Sequence, residues 1–226
     1  MSQDTDRISI QVGLSGYSFK IQTAETVKTS GWMSAERVFT TPEFQKRYDR
    51  VEISVFTPKI ALVPEQFQDQ TADADMLGDV ADLAEGDAVT SVPVPEFAAV
   101  LVYSNTIGET LSKVVSQTVL DKAGNKAVPL PEMYYMLGSV LELPDYNKIL
   151  ASYMDGTLYL VIAQGRSLLL CNAFQAPDFT TAEYFIFLAM KKLQLNPEMS
   201  TLTFMTRLDE EQEMSVYRYF RSVEYI

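Results

Sequence analysis

Residues 148–174 read KILASYM-DG-TLYLVIAQ-GR-SLLLCNAF, three short apolar runs separated by two turn signals. Asp155-Gly156 suits a two-residue type I′ turn, whose central positions both need positive φ. Gln164-Gly165-Arg166 supplies a second turn. In the middle run, Leu158, Leu160 and Ile162 alternate with Tyr159, Val161 and Ala163, so both faces are apolar. Such a strand belongs inside a sheet that is covered on both sides. The stretch therefore predicts a three-stranded antiparallel meander in the middle of a covered sheet.

Working outward, Ala176-Pro177-Asp178 turns the chain, and Thr180 with Glu183 matches a capping box for a following helix. Residues 184–193 are apolar nearly all round, which suits a helix buried on a sheet, with Phe185 and Leu188 expected in the core. Asn196-Pro197 ends it. Residues 200–206 (STLTFMT) read as a strand. Asp209 and Gln212 open another helix, with Met214, Tyr217 and Phe220 expected on its inner side, and residues 223–226 form a last strand. The order β-β-β-α-β-α-β is that of a ribonuclease H-like, or actin-like, half-domain.

The rest of the chain gives a fainter version of the same order. Ile8, Ile10, Val12 and Leu14 alternate with polar or small residues, Ser15-Gly16 turns, and Tyr17, Phe19 and Ile21 continue in a return strand. Residues 37–40 are a third-strand candidate, and Thr41-Pro42 starts a short helix. Strands are expected at 51–56 and 59–63, and a helix at 73–85. Residues 89–96 (VTSVPVPE) read as a loop, 97–103 as a buried strand, and Thr106 with Glu109 as the capping box of a helix. Residues 134–143 fit helix or strand. The expected organisation is an N-terminal half at 1–105, a connection at 106–146 and a C-terminal half at 147–226.

Composition removes several chemistries. The 226 residues contain no histidine, so Ser-His and Cys-His nucleophile pairs and histidine-ligated zinc are excluded. Cys171, the single cysteine, is read as a small core residue. A net charge of −12 argues against nucleic acid as a partner. The 53 residues 60–112 hold ten carboxylates and no basic residue. A solvated face explains such a run; a basic protein partner is the sharper reading. The polar, acidic start MSQDTDR has no signal-peptide core, and no apolar run reaches membrane-spanning length. Cytoplasmic residence is expected, with no membrane association.

The hairpin ISIQVGLSGYSFKI, the segment ALVPEQF (61–67) and the stretch SLLLCNAF…TTAEYFIFLAMKKLQL resemble an uncharacterised bacterial domain-of-unknown-function family similar in fold to the actin-like ATPases. The resemblance implies an α+β or α/β fold: two ribonuclease H-like half-domains with mixed sheets, antiparallel three-stranded meanders covered by helices. It also implies ATP with Mg²⁺ as a cofactor to be tested. Actin-like ATPases hold phosphates on two hairpins, the first resembling D-x-G-[ST]-x-[ST]-x-K. Here Gly13-Leu14-Ser15-Gly16-Tyr17-Ser18-Phe19-Lys20 stands in that place, with Gly13 where the acid belongs. Asp155-Gly156-Thr157 resembles the second loop. Gly13, Ser15, Gly16, Asp155, Gly156 and Thr157 are thus candidate, vestigial phosphate-loop residues, and each is also explained by turn geometry alone. No catalytic or metal-ligating residue is nominated. The expectation is a non-catalytic binding or scaffold module; the alternative is a nucleotide-binding ATPase or phosphotransferase that uses Asp155 with Mg²⁺.

Overall fold

The structure, a computed structural model, describes residues 6–226, without the side chain of Gln70. The polar start at residues 1–5 lies outside the described residues. In chain order the strands are β1 (Arg7–Val12), β2 (Gly16–Gln22), β3 (Val27–Thr29), β4 (Met33–Ser34), β5 (Arg47–Tyr48), β6 (Arg50–Val55), β7 (Ile60–Pro64), β8 (Thr90–Val94), β9 (Ala99–Tyr103), β10 (Leu120–Asp121), β11 (Leu130–Pro131), β12 (Asn147–Met154), β13 (Thr157–Gln164), β14 (Ser167–Gln175), β15 (Thr201–Phe204) and β16 (Ser222–Tyr225). The α-helices are α1 (Asp73–Gly78), α2 (Glu109–Thr118), α3 (Glu132–Glu142), α4 (Phe179–Lys192) and α5 (Glu210–Tyr217).

Packing divides the chain into two compact units, each discontinuous in sequence. One is the segment ending at Thr57 together with Asn105–Glu132; the other is Pro58–Ser104 together with Met133–Ile226. Each unit holds one mixed sheet of the same topology. In the first the order is β3-β2-β1-β6-β11, with β4 also on β2; in the second it is β14-β13-β12-β15-β16. In both, an antiparallel meander leads out from the first strand on one side, and two parallel strands lie on the other.

The second sheet forms as its turns dictate. Asp155 and Gly156 take φ of 49° and 70°, and Met154 pairs with Thr157 across them. Gly165 takes φ 56° in the next turn. All of β13 except Gln164 is buried. The meander forms one side of the sheet rather than its middle: β14 is an edge strand, and of the meander's strands only β12 and β13 are interior. The core gathers Ile149, Leu160, Ile186, Met190, Leu202 and Phe204, among others. Buried Lys148 donates from Nζ to the carbonyls of Leu141 and Leu143, satisfying the end of α3, a segment whose state the sequence left open.

Several expectations need correction. The N-cap of α4 is Asp178, whose carboxylate accepts the Thr181 N–H at 2.7 Å; Glu183, expected in a capping box with Thr180, instead accepts from Ser215 Oγ at 2.6 Å. The inner face of α4 is Ala182, Ile186, Ala189 and Met190, while Phe185 and Leu188 are half-buried. On α5 the capping box of Asp209 and Gln212 forms as read. Its inner side is Val216 with Phe220, and Met214 and Tyr217 are exposed.

The first unit departs further. Its core is Ile8, Ile10, Tyr17, Phe19, Ile53 and Val115 with their neighbours. Residues 35–40, which include the strand candidate 37–40, form a 3-10 helix, and Pro42 starts a second. At α2, Thr106 lies in a 3-10 turn and no side-chain cap forms; the helix starts after Gly108, where a Cβ would overlap Val55 Cγ1. Residues 58–104, in the second unit, carry their own sheet, β7-β9-β8. The loop expected at 89–96 is mostly strand β8, an edge strand on which Pro93 is tolerated. The helix expected over 73–85 stops at Gly78, a residue type that disfavours helix continuation.

Candidate functional site

In the first unit, β1, β6 and β11 run parallel, and Val12, Val55 and Pro131 are register partners where they end. In parallel sheets the carboxyl ends of strands are where ligands bind. The chain leaves β1 through Gly13 and leaves β11 into Glu132, the first residue of α3. Glu132 is fully buried, and its Oε1 accepts from Gln11 Nε2 at 2.7 Å; Gln11 Oε1 accepts in turn from Ser18 Oγ at 3.2 Å. Glu132 thus accepts from a hydrogen-bonded chain that starts on the first hairpin. Sequence reasoning missed Glu132 because its partner, Gln11, lies 121 residues away in the chain. The available signal was an acidic residue following proline at the start of an apolar helix.

The first hairpin turn brings Gly13, Ser15 and Gly16 together. The Gly13 N–H donates to Gly16 O at 3.0 Å, and the Ala35 N–H donates to Ser15 O at 3.3 Å. Gly16 sits directly under β4: an added Cβ would overlap the Met33 carbonyl and come within 2.9 Å of Trp32 Nε1. Its glycine is therefore required by close backbone approach. Tyr17 points into the core, fully buried, with its hydroxyl 2.6 Å from Thr41 Oγ1 and its ring 5.0 Å from that of Phe44. A triphosphate needs open backbone N–H groups and an acid that holds Mg²⁺ waters here. Gly13 supplies no acid, the Gly13 N–H is spent within the turn, and the chain itself lies over Gly16. The first hairpin does not fit the group.

The second hairpin turn holds Asp155, Gly156 and Thr157 together. Asp155 is exposed, Gly156 is half-buried and Thr157 is buried. The Gly156 carbonyl accepts the Ala176 N–H at 2.8 Å, and a Cβ on Gly156 would lie in ordinary contact with Pro177 Cα at 3.6 Å. The turn is tied to the end of β14, which accounts for its shape without a ligand. Among the described residues, no three or more Asp, Glu or Cys side chains gather into a metal-holding group. Burial pushes the Cys171 thiol up to about 12, so it stays protonated and unreactive near neutrality.

Two half-sheets of matching topology and a hairpin turn at the head of each define the actin-like ATPase fold. A protein from Bacteroides thetaiotaomicron VPI-5482, described as having an actin-like ATPase fold and unknown function, superimposes with a TM-score of 0.68 at 14% identity, covering 98% of this chain and 90% of that one. The PilM–PilN type IV pilus biogenesis complex contains a chain that matches with a TM-score of 0.50 at 12% identity, over 97% of this chain and 88% of that one. The cytoplasmic domain of EpsL, an inner membrane component of the type II secretion system of Vibrio cholerae, matches with a TM-score of 0.47 at 12% identity, over 91% and 83% of the two chains. No curated protein matches the sequence. The chain belongs to the family described as Protein of unknown function (DUF3822), which it matches over residues 4–223.

Proposed function

We propose that this protein is a cytoplasmic, non-catalytic binding or scaffold module that keeps the actin-like fold after losing its phosphate loops. In this reading each of the two matching sheets is the centre of one ribonuclease H-like half, and 58–104 is an insertion. The observation that carries the proposal is the first hairpin: glycine replaces the acid, Gly16 is covered by Met33 and Trp32, and Tyr17 is committed to the core. The PilM–PilN complex supports a protein partner, since a chain of similar fold is described there in a complex. The acidic segment 60–112 supports a basic one. Among the described residues no helix is long and apolar enough to cross a membrane. The test is ATP turnover in the presence of Mg²⁺, compared between wild type and Asp155→Ala; background rates in both support the proposal.

One observation favours the alternative, a nucleotide-binding phosphotransferase. A fully buried acidic side chain beside the end of a parallel strand is a candidate functional group, and Glu132 is one. Turnover that disappears in Glu132→Gln while the fold is retained would establish that reading.

A further inference from the structure

Sheet edges present unpaired N–H and C=O groups, and proteins blunt them with charge, proline or brevity. Here β16 carries Glu224 and β3 carries Lys28; β8 contains Pro93, β7 ends at Pro64, and β11 is two residues long. Edge strand β14 differs. It runs nine residues, Ser167–Gln175, with neither charge nor proline, in a chain that is 21% charged. Leu169 is exposed on it. The Ala173 N–H is satisfied by its own neighbour, donating to Asn172 Oδ1 at 3.0 Å rather than to another strand.

A second feature adjoins the start of this strand. A cavity of about 490 Å³ is lined by Leu62, Pro64, Pro95, Phe97 and Leu168, with Arg166 at its rim. Arg166 is exposed, and among the described residues its guanidinium has no ion-pair partner. A cavity of mixed lining, with apolar side chains on its walls and a guanidinium without an ion-pair partner at its rim, suits an apolar side chain next to a carboxylate. Glu96 also lines the cavity, so a second negative charge is disfavoured there.

We propose that β14 is a strand-addition site for an extended, apolar segment of a partner protein, paired antiparallel so that a single carboxylate at or near the segment's C-terminal end meets Arg166 while the adjacent apolar residue fills the cavity. The direction follows from the placement of Arg166 immediately before β14: the carboxylate end must lie at the start of the strand. Main-chain hydrogen bonds along 169–175 supply affinity, and the cavity supplies selectivity. The proposal rests on the reading of the protein as a binding module, and it names the surface that binds.

The probe is a displayed library of random nonapeptides with free C-termini, selected on the intact chain. Enriched peptides are then synthesised with free and amidated C-termini and titrated by fluorescence anisotropy. The expected result is alternating apolar sequences ending in, or close to, a carboxylate. Arg166→Gln should weaken binding by about tenfold or more for peptides bound through a charge-assisted pair, and amidation should do the same for those bound through the terminus. Ala173→Pro, which removes an edge N–H, should abolish binding, and peptide should slow hydrogen exchange within 167–175. If Ala173→Pro fails to fold, Asn172→Lys serves, since it puts a charge on the edge. Peptides that bind both variants like wild type, protection outside β14, or no enrichment at all would each overturn the assignment. Peptides indifferent to both variants would leave the binding-module reading standing, whereas Mg²⁺-ATP turnover would remove that reading without touching β14.

Discussion

Gly16 and Cys171 carry the account at the residue scale, because each can be read chemically or sterically. A phosphate-loop glycine can accept a methyl group with loss of ligand affinity but little loss of stability. Gly16 cannot, since that methyl meets the Met33 carbonyl. Gly16→Ala should therefore destabilise the protein by about 1–3 kcal/mol, the range for overpacking, as measured by urea unfolding. For Cys171, a thiol pKa raised by burial means that ionisation is disfavoured in the folded state. Its stabilising contribution is complete below the unfolded-state pKa and is lost as pH rises from about 8.5 toward 12. Alkylation by iodoacetamide at pH 8 should be far slower in the native protein than in urea. Equal rates would mean that the thiol is open to solvent. On α4, Ile186→Ala should cost about 2–5 kcal/mol and Leu188→Ala distinctly less, reversing the weight that apolarity alone gives Leu188.

Among the elements, those specified by turn chemistry were readable, cap chemistry was right at α5 but misplaced at α2 and α4, and elements decided by packing were not readable. Asp155-Gly156 fixed a hairpin because few pairs accept two positive φ values, and Asp209 with Gln212 fixed a helix start by reciprocal hydrogen bonds. Asp209→Ala should accordingly cost about 1 kcal/mol in thermal or urea unfolding. By contrast, Asp178 and Thr180 both offered a cap to α4, and the helix starts at Phe179, with Asp178 as its cap and Thr180 already inside it. Strand β8 was hidden because Pro93 breaks a strand pattern, while an edge position tolerates it. Helix α1 was overextended because acidic and apolar residues keep alternating past Gly78 at helical spacing. The candidate loops were legible as turns. Their closure by Met33, Trp32 and Ala176 was not, since those contacts join residues distant from each turn in sequence or in the chain's local pattern. Glu132 was hidden for the same reason: its donor, Gln11, lies 121 residues away.

For the molecule as a whole, charge and fold set the expectations. A net charge of −12, with no basic residue in 60–112, predicts no salt-sensitive gel shift of DNA or RNA at low micromolar protein. The actin-like fold by itself assigns no activity, because the same architecture persists whether or not its hairpins hold phosphate. The central claim is that these hairpins no longer do. It is tested most directly by the melting temperature of the purified protein with and without millimolar Mg²⁺-ATP, because a ligand that binds only the native state must raise it. The account predicts the same melting temperature in both, for wild type and for Asp155→Ala alike. A rise of several degrees in the wild type that is absent in Asp155→Ala would contradict it and restore a phosphate-binding role to Asp155-Gly156-Thr157.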